Sequence, residues 1–521
     1  MAVLPKDNYS FNEKATYLTT LLDNDPIAAI SQARRITFDV IKSEHINWIN
    51  LKAAILVDGG VLTQEKDVIK EGLELFQELY SQLPIVSIAY NLANGLVALA
   101  GSPPHDSSWL DHQENTRQYR TQARQYFWMV AQDLEADSEL RTQAWTNLAN
   151  QFSNSYRLSE AHDAWLSALK IDPENGVAAI SAARNLLWLY EKGDCSDLTR
   201  VEAIMLAKIA QKHQDKIVQY AGMQAAEQIA AFIKGFEDPP LRTKHKDTFI
   251  RWVENERLTL APTVELIEPD FDKVDWLMLP GVLEREPSAK GMPPPIFAMF
   301  NMLKSDFILA RDLVWRALDK DTWPTTGQFG DTLDYATYGP DTSALILAHR
   351  TALDLLDKVA VTANHYFELG IAPDRVYFGK LWRKSPDKKT GIRELSDKVR
   401  NVIHGGVSAL YGLIELADDY DNSLGILRSQ KDLRNAGTHR FVVLHDFGNP
   451  SDSRQAPEIE HHGKERFTNE VLYALRIARS AIQMLTLSIS QHERGLKENL
   501  SGIVGSLVVP DHDYIRGRDK K

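Results

Sequence analysis

A chain of 521 residues is longer than one ordinary hydrophobic core, which implies two or three domains, and an apolar share of 44 % suits globular folding throughout. Net charge is −12, roughly −8 of it in residues 1–235 and roughly −4 beyond; this disfavours a non-specific duplex binder, which needs clustered Lys and Arg, but leaves room for an enzyme that holds a few nucleotides locally. Cys195 is the only cysteine, so an internal disulfide and a cysteine zinc cluster are excluded. Met1–Ser10 lacks the basic start and apolar run of a signal peptide, and no later stretch has the roughly 18 consecutive apolar residues of a membrane span, so the expectation is a soluble cytoplasmic protein with no membrane partner.

The first half reads as helical repeats. Helical-period segments run over residues 46–56 and 68–80, then 88–99 and 120–134, and later 177–190 and 202–232, with residues 101–115 a polar Pro/Asp/Ser insertion that reads as a loop. Between residues 144 and 173, Trp145, Leu148, Ala149 and Phe152 share one helical face, Ala161, Trp165 and Ala168 share the next, and Pro173 ends the unit. That order resembles the 34-residue tetratricopeptide repeat, in which large–small alternation lets antiparallel helices pack closely. One repeat cannot bury its own apolar face, so residues 1–235 are expected to form a curved solenoid of about four to six helix pairs. Its concave face would suit a protein or peptide partner; as a scaffold or dimerisation arm it would need none.

Residues 236–340 read as an irregular connecting segment. Pro239, Pro240, Pro262, Pro269, Pro280, Pro287 and Pro293–Pro295 preclude one long helix there, while Trp252, Phe271, Trp276, Leu277 and Leu279 are too apolar for a free linker. Within it an accessory helix is expected over residues 296–318, with Phe297, Phe300, Leu303, Phe307, Leu309, Leu313 and Leu318 forming a broad apolar surface. Residues 323–340 follow as a loop.

Residues 341–521 read as a helical bundle with four core helices, which makes the whole chain all-α. Leu345, Ala348, Ala352, Leu355, Leu356 and Val359 mark the first; Val407, Leu410, Leu413, Ile414 and Leu416 the second; Leu424, Leu427 and Leu433 the third, after a polar turn at residues 418–423. A loop over residues 448–463 precedes the last, which Thr468 can cap and in which Leu472, Leu475, Ile482, Leu485 and Ile489 keep the 3.6-residue period.

At the end of the third helix stands Arg434-Asn435-Ala436-Gly437-Thr438-His439. Arg434, Asn435 and His439 resemble the Arg, polar residue, x3, His signature of the HEPN superfamily, over roughly residues 340–492. Positions five apart on a continuous helix differ by about 140°, so Gly437 is expected to break the helix and let His439 turn back towards Arg434. The resemblance implies metal-independent RNA cleavage by the 2′-hydroxyl, giving 2′,3′-cyclic phosphate and 5′-hydroxyl ends, with no cofactor and no metal. In that chemistry histidine transfers a proton, the planar arginine fork holds phosphate, and Asn435 orients one of them. It also implies a homodimer through the HEPN domain with a composite site, and a role in stress, toxin or anti-phage systems. On the residues alone Arg434 can equally cap a helix end, with His439 leading into a strand-like run at 440–444. The rival to a ribonuclease is a non-catalytic adaptor whose array binds a partner and whose HEPN fold dimerises.

Other candidates carry less chemistry. Lys380, Arg383, Lys384, Lys388, Lys389 and Arg393, with Tyr377, Phe378 and Trp382 alongside, mix base-stacking and phosphate-binding residue types and are the expected RNA-binding run; a solvated basic face is the plainer reading. His445-Asp446 resembles a metal-binding pair but has no histidine ladder beside it, His461-His462 falls in a polar loop, and His349 and His365 are expected to be structural. Neither a phosphate-binding Gly-Lys-Ser/Thr loop nor a Gly-x-Gly-x-x-Gly turn is present.

Overall fold

The computed structural model describes residues 11–37, 45–102, 108–193, 197–237, 247–262, 274–284, 291–319, 327–448 and 450–498, with Trp323, Leu500 and Gly505. Met1–Ser10, Cys195, Pro239, Pro240, Pro269, Phe271, Pro287 and residues 103–107 of the polar insertion lie outside them. The described residues of Met1–Asn185, Ala203–Pro239 and Asp418–Ser429 form one compact unit, and those of Leu186–Glu202, Pro240–Ala417 and Gln430–Lys521 a second. The class is all-α, as expected, with a single three-stranded sheet among the described residues.

The first half runs through α1 (Phe11–Asn24), α2 (Pro26–Arg34), α3 (Ile46–Thr63), α4 (Lys66–Gln82), α5 (Val86–Ala100), α6 (Trp109–Gln132), α7 (Ser138–Asn154), α8 (Leu158–Ile171), α9 (Gly176–Lys192), α10 (Asp197–Lys212), α11 (Gln214–Ala221) and α12 (Met223–Ile233). Links as short as Gln64–Glu65 and Ser155–Arg157 make neighbouring helices antiparallel hairpins, and α1 to α8 pack one on the next in chain order, as α11 does on α12. Close approach has a sequence cause at Gly72 on α4: a Cβ there would stand 2.7 Å from the Ala53 carbonyl oxygen of α3. Leu148, Ala149 and Phe152 of α7 and Ala161, Trp165 and Ala168 of α8 are all buried, while Trp145 lies half-buried and edge-on to Trp128 at 5.6 Å. Two expectations give way. The polar insertion is helical from Trp109, because the Ser108 hydroxyl accepts from Asp111 N at 3.1 Å and caps α6. The long segment 202–232 is three helices, with Gly222 turning at φ 84° between α11 and α12.

The second unit contains α13 (Thr248–Asn255), α14 (Pro295–Leu318), α15 (Pro340–Tyr366), α16 (Asp397–His404), most of α17 (Leu410–Asp421) and of α18 (Arg428–His439), and α19 (Lys464–Glu498). Pro295 and Pro340 occupy first helical positions, where the missing N–H is not needed. Long α14 packs along α15, and α15 along α19. Phe300, Leu303 and Phe307 of α14 are buried there, but Leu309 and Leu318, expected on the apolar surface, are exposed. The irregular stretch before α14 is pinned to this layer by polar bonds: Arg311 forks onto Asp275 at 2.7 Å and reaches the Leu258 carbonyl at 2.8 Å, and Gln483 reaches the Leu260 carbonyl at 2.8 Å.

The sheet has the order β1 (Ala336–Thr337), β2 (Phe441–His445), β3 (Ile459–Gly463), with β1 antiparallel and β3 parallel to β2. Residues 446–458 supply the crossover of about a dozen residues that a parallel pair requires. β3 lies where a loop was expected, because Ile459-Glu460-His461-His462-Gly463 is too polar to read as a strand. Thr468 does not cap α19; it lies inside the helix, and its hydroxyl donates to the Lys464 carbonyl at 2.8 Å.

The expected polar turn at 418–423 is another correction. Asp418–Asp421 continue α17, and Asp419 is fully buried against Arg124 of α6 and Arg157, which precedes α8. Arg124 donates to both Asp419 oxygens at 2.9 and 3.1 Å, and Arg157 pairs with Asp419 and, at 2.6 and 2.8 Å, with both oxygens of Glu160. A sequence this polar reads as a turn, yet within the first unit it is an interior ion cluster.

Candidate functional site

The helix bearing the arginine–histidine pair has two distinct faces. Gln430 meets His349 of α15 at 2.9 Å, Arg434 meets Asp354 and Asp357 of α15, and a Cβ on Gly437 would lie 3.7 Å from Arg350 of the same helix. These three positions, at i, i+4 and i+7, form the inner face of α18. At 100° per residue, Asn435 and His439 fall together on the opposite face, and both are exposed. The expected break at Gly437 is absent: α18 runs through to His439 and Gly437 has no positive φ. Arg434 and His439 therefore diverge along one continuous helix. Because Gly437 is helical with ordinary contact distance around it, Gly437→Ala should stabilise the second unit by about 0.4–1 kcal/mol. Thermal unfolding measures this, and a loss of stability would mean that the helix does bend there.

Arg434 donates Nε–H and Nη2–H to Asp354 Oδ1 at 3.1 and 2.7 Å, and Nη2–H to Asp357 Oδ2 at 2.8 Å; Asp357 also accepts from Phe378 N at 2.8 Å. The guanidinium is thus oriented by two carboxylates one helical turn apart. Its side chain is 24 % exposed and that of Asp354 49 %, so an incoming anion has solvent access to this pair.

One turn earlier, buried Gln430 connects His349 to Glu470, whose carboxyl burial pushes up. Burial pushes the His349 imidazole down to about 4 against the favourable bond to Gln430, and His349 is buried whereas His365 is exposed. The unfolded chain then takes a proton near pH 6.5 that the folded chain refuses until about pH 4. This contribution to stability is complete above about pH 6.5 and falls by up to about 1.4 kcal/mol per pH unit as pH drops towards 4, about 3 kcal/mol in all. His349→Gln, which keeps a donor for Gln430, should flatten the acid limb of a stability–pH profile. An unchanged limb would refute a neutral buried His349.

Residues 287–492, a stretch that holds α14 to α18, all three strands and α19 as far as His492, match the family model of the LA2681-like HEPN domain. The chain carries a C-terminal HEPN domain. The match starts before α14, so that helix lies within the HEPN stretch, and it takes in Arg434, Asn435 and His439. No curated protein matches the chain. No helix among the described residues is long and apolar enough to cross a membrane.

Within the HEPN domain the basic run divides. Arg383 is buried, bridges in backbone pairing to Leu395, and donates to the Arg393 carbonyl at 3.3 Å, so it faces no RNA. Arg393 is half-buried and donates to the carbonyls of Lys384, Gly379 and Lys380. Phe378 and Trp382 are core, edge-on to each other at 6.2 Å, and cannot stack bases. Lys380, Lys384, Lys388 and Lys389 are exposed; Lys380 lies over the exposed Tyr377 ring, and Lys384 pairs with Asp397 at 2.7 Å. Alternating core and surface positions in a compact hairpin-like loop have no strong period, which is why the run reads as one basic surface in sequence.

The sheet of the HEPN domain gathers a second polar group. His445 Nδ1 meets the Asp334 carbonyl oxygen at 2.9 Å, and His445 Nε2 meets His461 Nδ1 at 2.9 Å. His461 was expected in a solvated loop, but β3 places it beside β2, half-buried. Asp446, by contrast, turns towards Lys464 at 3.8 Å.

Proposed function

We propose that the HEPN domain is a metal-independent endoribonuclease that leaves 2′,3′-cyclic phosphate and 5′-hydroxyl ends. His439 transfers the proton, Asn435 orients His439 or a phosphate oxygen, and Arg434 is the phosphate-binding cation. The observation that carries this reading is the placement of Asn435 and His439, four residues apart on the exposed face at the end of α18, inside the stretch that matches the HEPN family. Arg434 is pre-oriented by Asp354 and Asp357, and half-exposed ion pairs are worth only about 0–1 kcal/mol. Exchanging one carboxylate for a phosphate oxygen therefore costs little.

The divergence of Arg434 and His439 favours a site completed by a second copy. Cleavage by the 2′-hydroxyl benefits from a base and an acid on opposite sides of the phosphate, and a two-fold axis beside α18 would supply both histidines. Phe441, two residues after His439, is an exposed aromatic that such an interface would cover. Lys380, Lys384, Lys388 and Lys389 are left as the lysines for RNA phosphates. The helical array is tetratricopeptide-like and targets the enzyme through a protein or peptide partner.

The test is transcriptome-wide mapping of 5′-hydroxyl ends after induction, with purified protein assayed in parallel in excess EDTA. New ends that require Arg434 and His439, and cleavage that persists in EDTA, are expected. Ends identical to those of an Arg434→Ala control, or activity that vanishes with EDTA and returns with Mg²⁺ or Mn²⁺, would overturn the reading.

A further inference from the structure

The register of the sheet brings three potential metal ligands from distant parts of the chain to one place. Ala336 pairs with His445, so Asp334 stands two residues before the partner of His445; Val443 pairs with His461, so His461 is diagonal to His445 on the same face of the parallel pair. One ligand atom from each of Asp334, His445 and His461 lies within 4.8 Å of the others. From these residues we propose a site for a divalent transition-metal ion of the zinc class, bound by the Asp334 carboxylate, His445 Nε2 and His461 Nδ1.

The protonation of the two rings is compatible with such an ion. A carbonyl only accepts, so the bond to the Asp334 oxygen requires a proton on His445 Nδ1 and leaves a lone pair on Nε2. Without a metal, the 2.9 Å contact then requires a proton on His461 Nδ1, which strands the second lone pair of that ring on Nε2, a buried atom with no hydrogen-bond partner. With a metal, both facing nitrogens give lone pairs to the ion and the His461 proton moves to Nε2, which is buried without a partner in either state, so the two states differ only in what the facing nitrogens bind. Two ligands 2.0–2.1 Å from one ion at 90–110° are about 2.9–3.4 Å apart, so the rings already have nearly the required separation. The bond from His445 Nδ1–H to a backbone carbonyl is also the usual device that fixes a histidine's orientation towards a metal.

The third ligand is held as firmly. Asp334 lies between Leu333 at φ 61° and Tyr335 at φ 60°, two left-handed non-glycine residues in succession around it. Its Oδ1 accepts from the Thr332 hydroxyl at 2.5 Å and from Ala336 N at 3.3 Å. Imidazole nitrogen with one carboxylate suits zinc and its neighbours better than magnesium or calcium, which prefer oxygen. Three protein ligands leave a coordination position for water. By joining β1, β2 and β3 the ion would fix the segment that follows His439; it takes no part in the cleavage proposed above, so the two proposals fail separately.

Tag-free full-length protein, stripped with chelator and dialysed, is titrated with Co²⁺ and then Zn²⁺. Expected are visible d–d bands saturating at about one Co²⁺ per chain, their loss on adding Zn²⁺, and a rise of a few degrees in Tm with Zn²⁺. His461→Ala and Asp334→Asn should weaken Co²⁺ binding by at least about tenfold. If either variant fails to fold by circular dichroism, the unsubstituted protein decides: Zn²⁺ should protect His461 from diethyl pyrocarbonate in peptide maps. No stoichiometric Co²⁺ bands in the unsubstituted protein, binding unaltered in a folded His461→Ala, or no protection of His461 would each overturn the site.

Discussion

His439→Ala should lower RNA cleavage by about 10²–10⁴-fold, the usual contribution of a positioned proton-transfer group, while thermal unfolding stays close to that of the unsubstituted protein. The second half of this expectation follows from position: His439 is the last residue of α18 and exposed, so its removal opens no cavity. Arg434→Ala should also abolish cleavage, but it strips Asp354 and Asp357 of their shared cation and is the less clean variant. The composite site proposed above has its own signature. Mixing unsubstituted subunits with excess His439→Ala subunits, under conditions that permit exchange, should reduce activity by more than dilution alone. Strictly proportional loss, or a fully active monomer in light scattering, would place a complete site in each chain.

Asp419→Ala should destabilise the first unit by about 3–5 kcal/mol, the cost of removing one partner from a buried ion cluster. The guanidinium groups of Arg124 and Arg157 are fully buried, and Asp419 accepts from both. Without it Arg157 retains Glu160, but Arg124 loses its two carboxylate bonds. Chemical denaturation followed in the first unit measures the effect; the chain has two compact units, so a single two-state fit is inappropriate. A loss below about 1 kcal/mol would mean that solvent reaches this cluster. Replacing the polar turn residues Asn422 or Ser423, which are exposed, should change little by comparison.

Most helices were legible because their apolar residues recur at the helical period. Leu345 to Val359 on α15, Leu472 to Ile489 on α19, and Leu148 to Ala168 on α7 and α8 bury the side chains that the pattern marks. That Arg434, Asn435 and His439 stand at a helix end was legible too. What their side chains face was not: whether Gly437 bends or continues a helix depends on what packs against it, and here α15 lies alongside with room for a regular turn. The pairing of Arg434 with Asp354 and Asp357 was equally hidden, since those carboxylates lie some eighty positions away on another helix.

Polar residues were where tertiary structure decided most. Asp419 reads as a turn residue, yet two arginines from the helical array make it a buried one. Arg383 reads as a surface cation, yet its side chain is spent on a backbone carbonyl beneath a loop. His445 and His461 read as an isolated pair member and a loop residue, because a parallel strand pairing across residues 446–458 leaves no periodic mark. Hydrophobic burial is non-directional and follows local period, so one chain segment announces it. Ion pairs, hydrogen bonds and ligand sets need a second group at a fixed distance and angle, and only the folded chain brings that group into place.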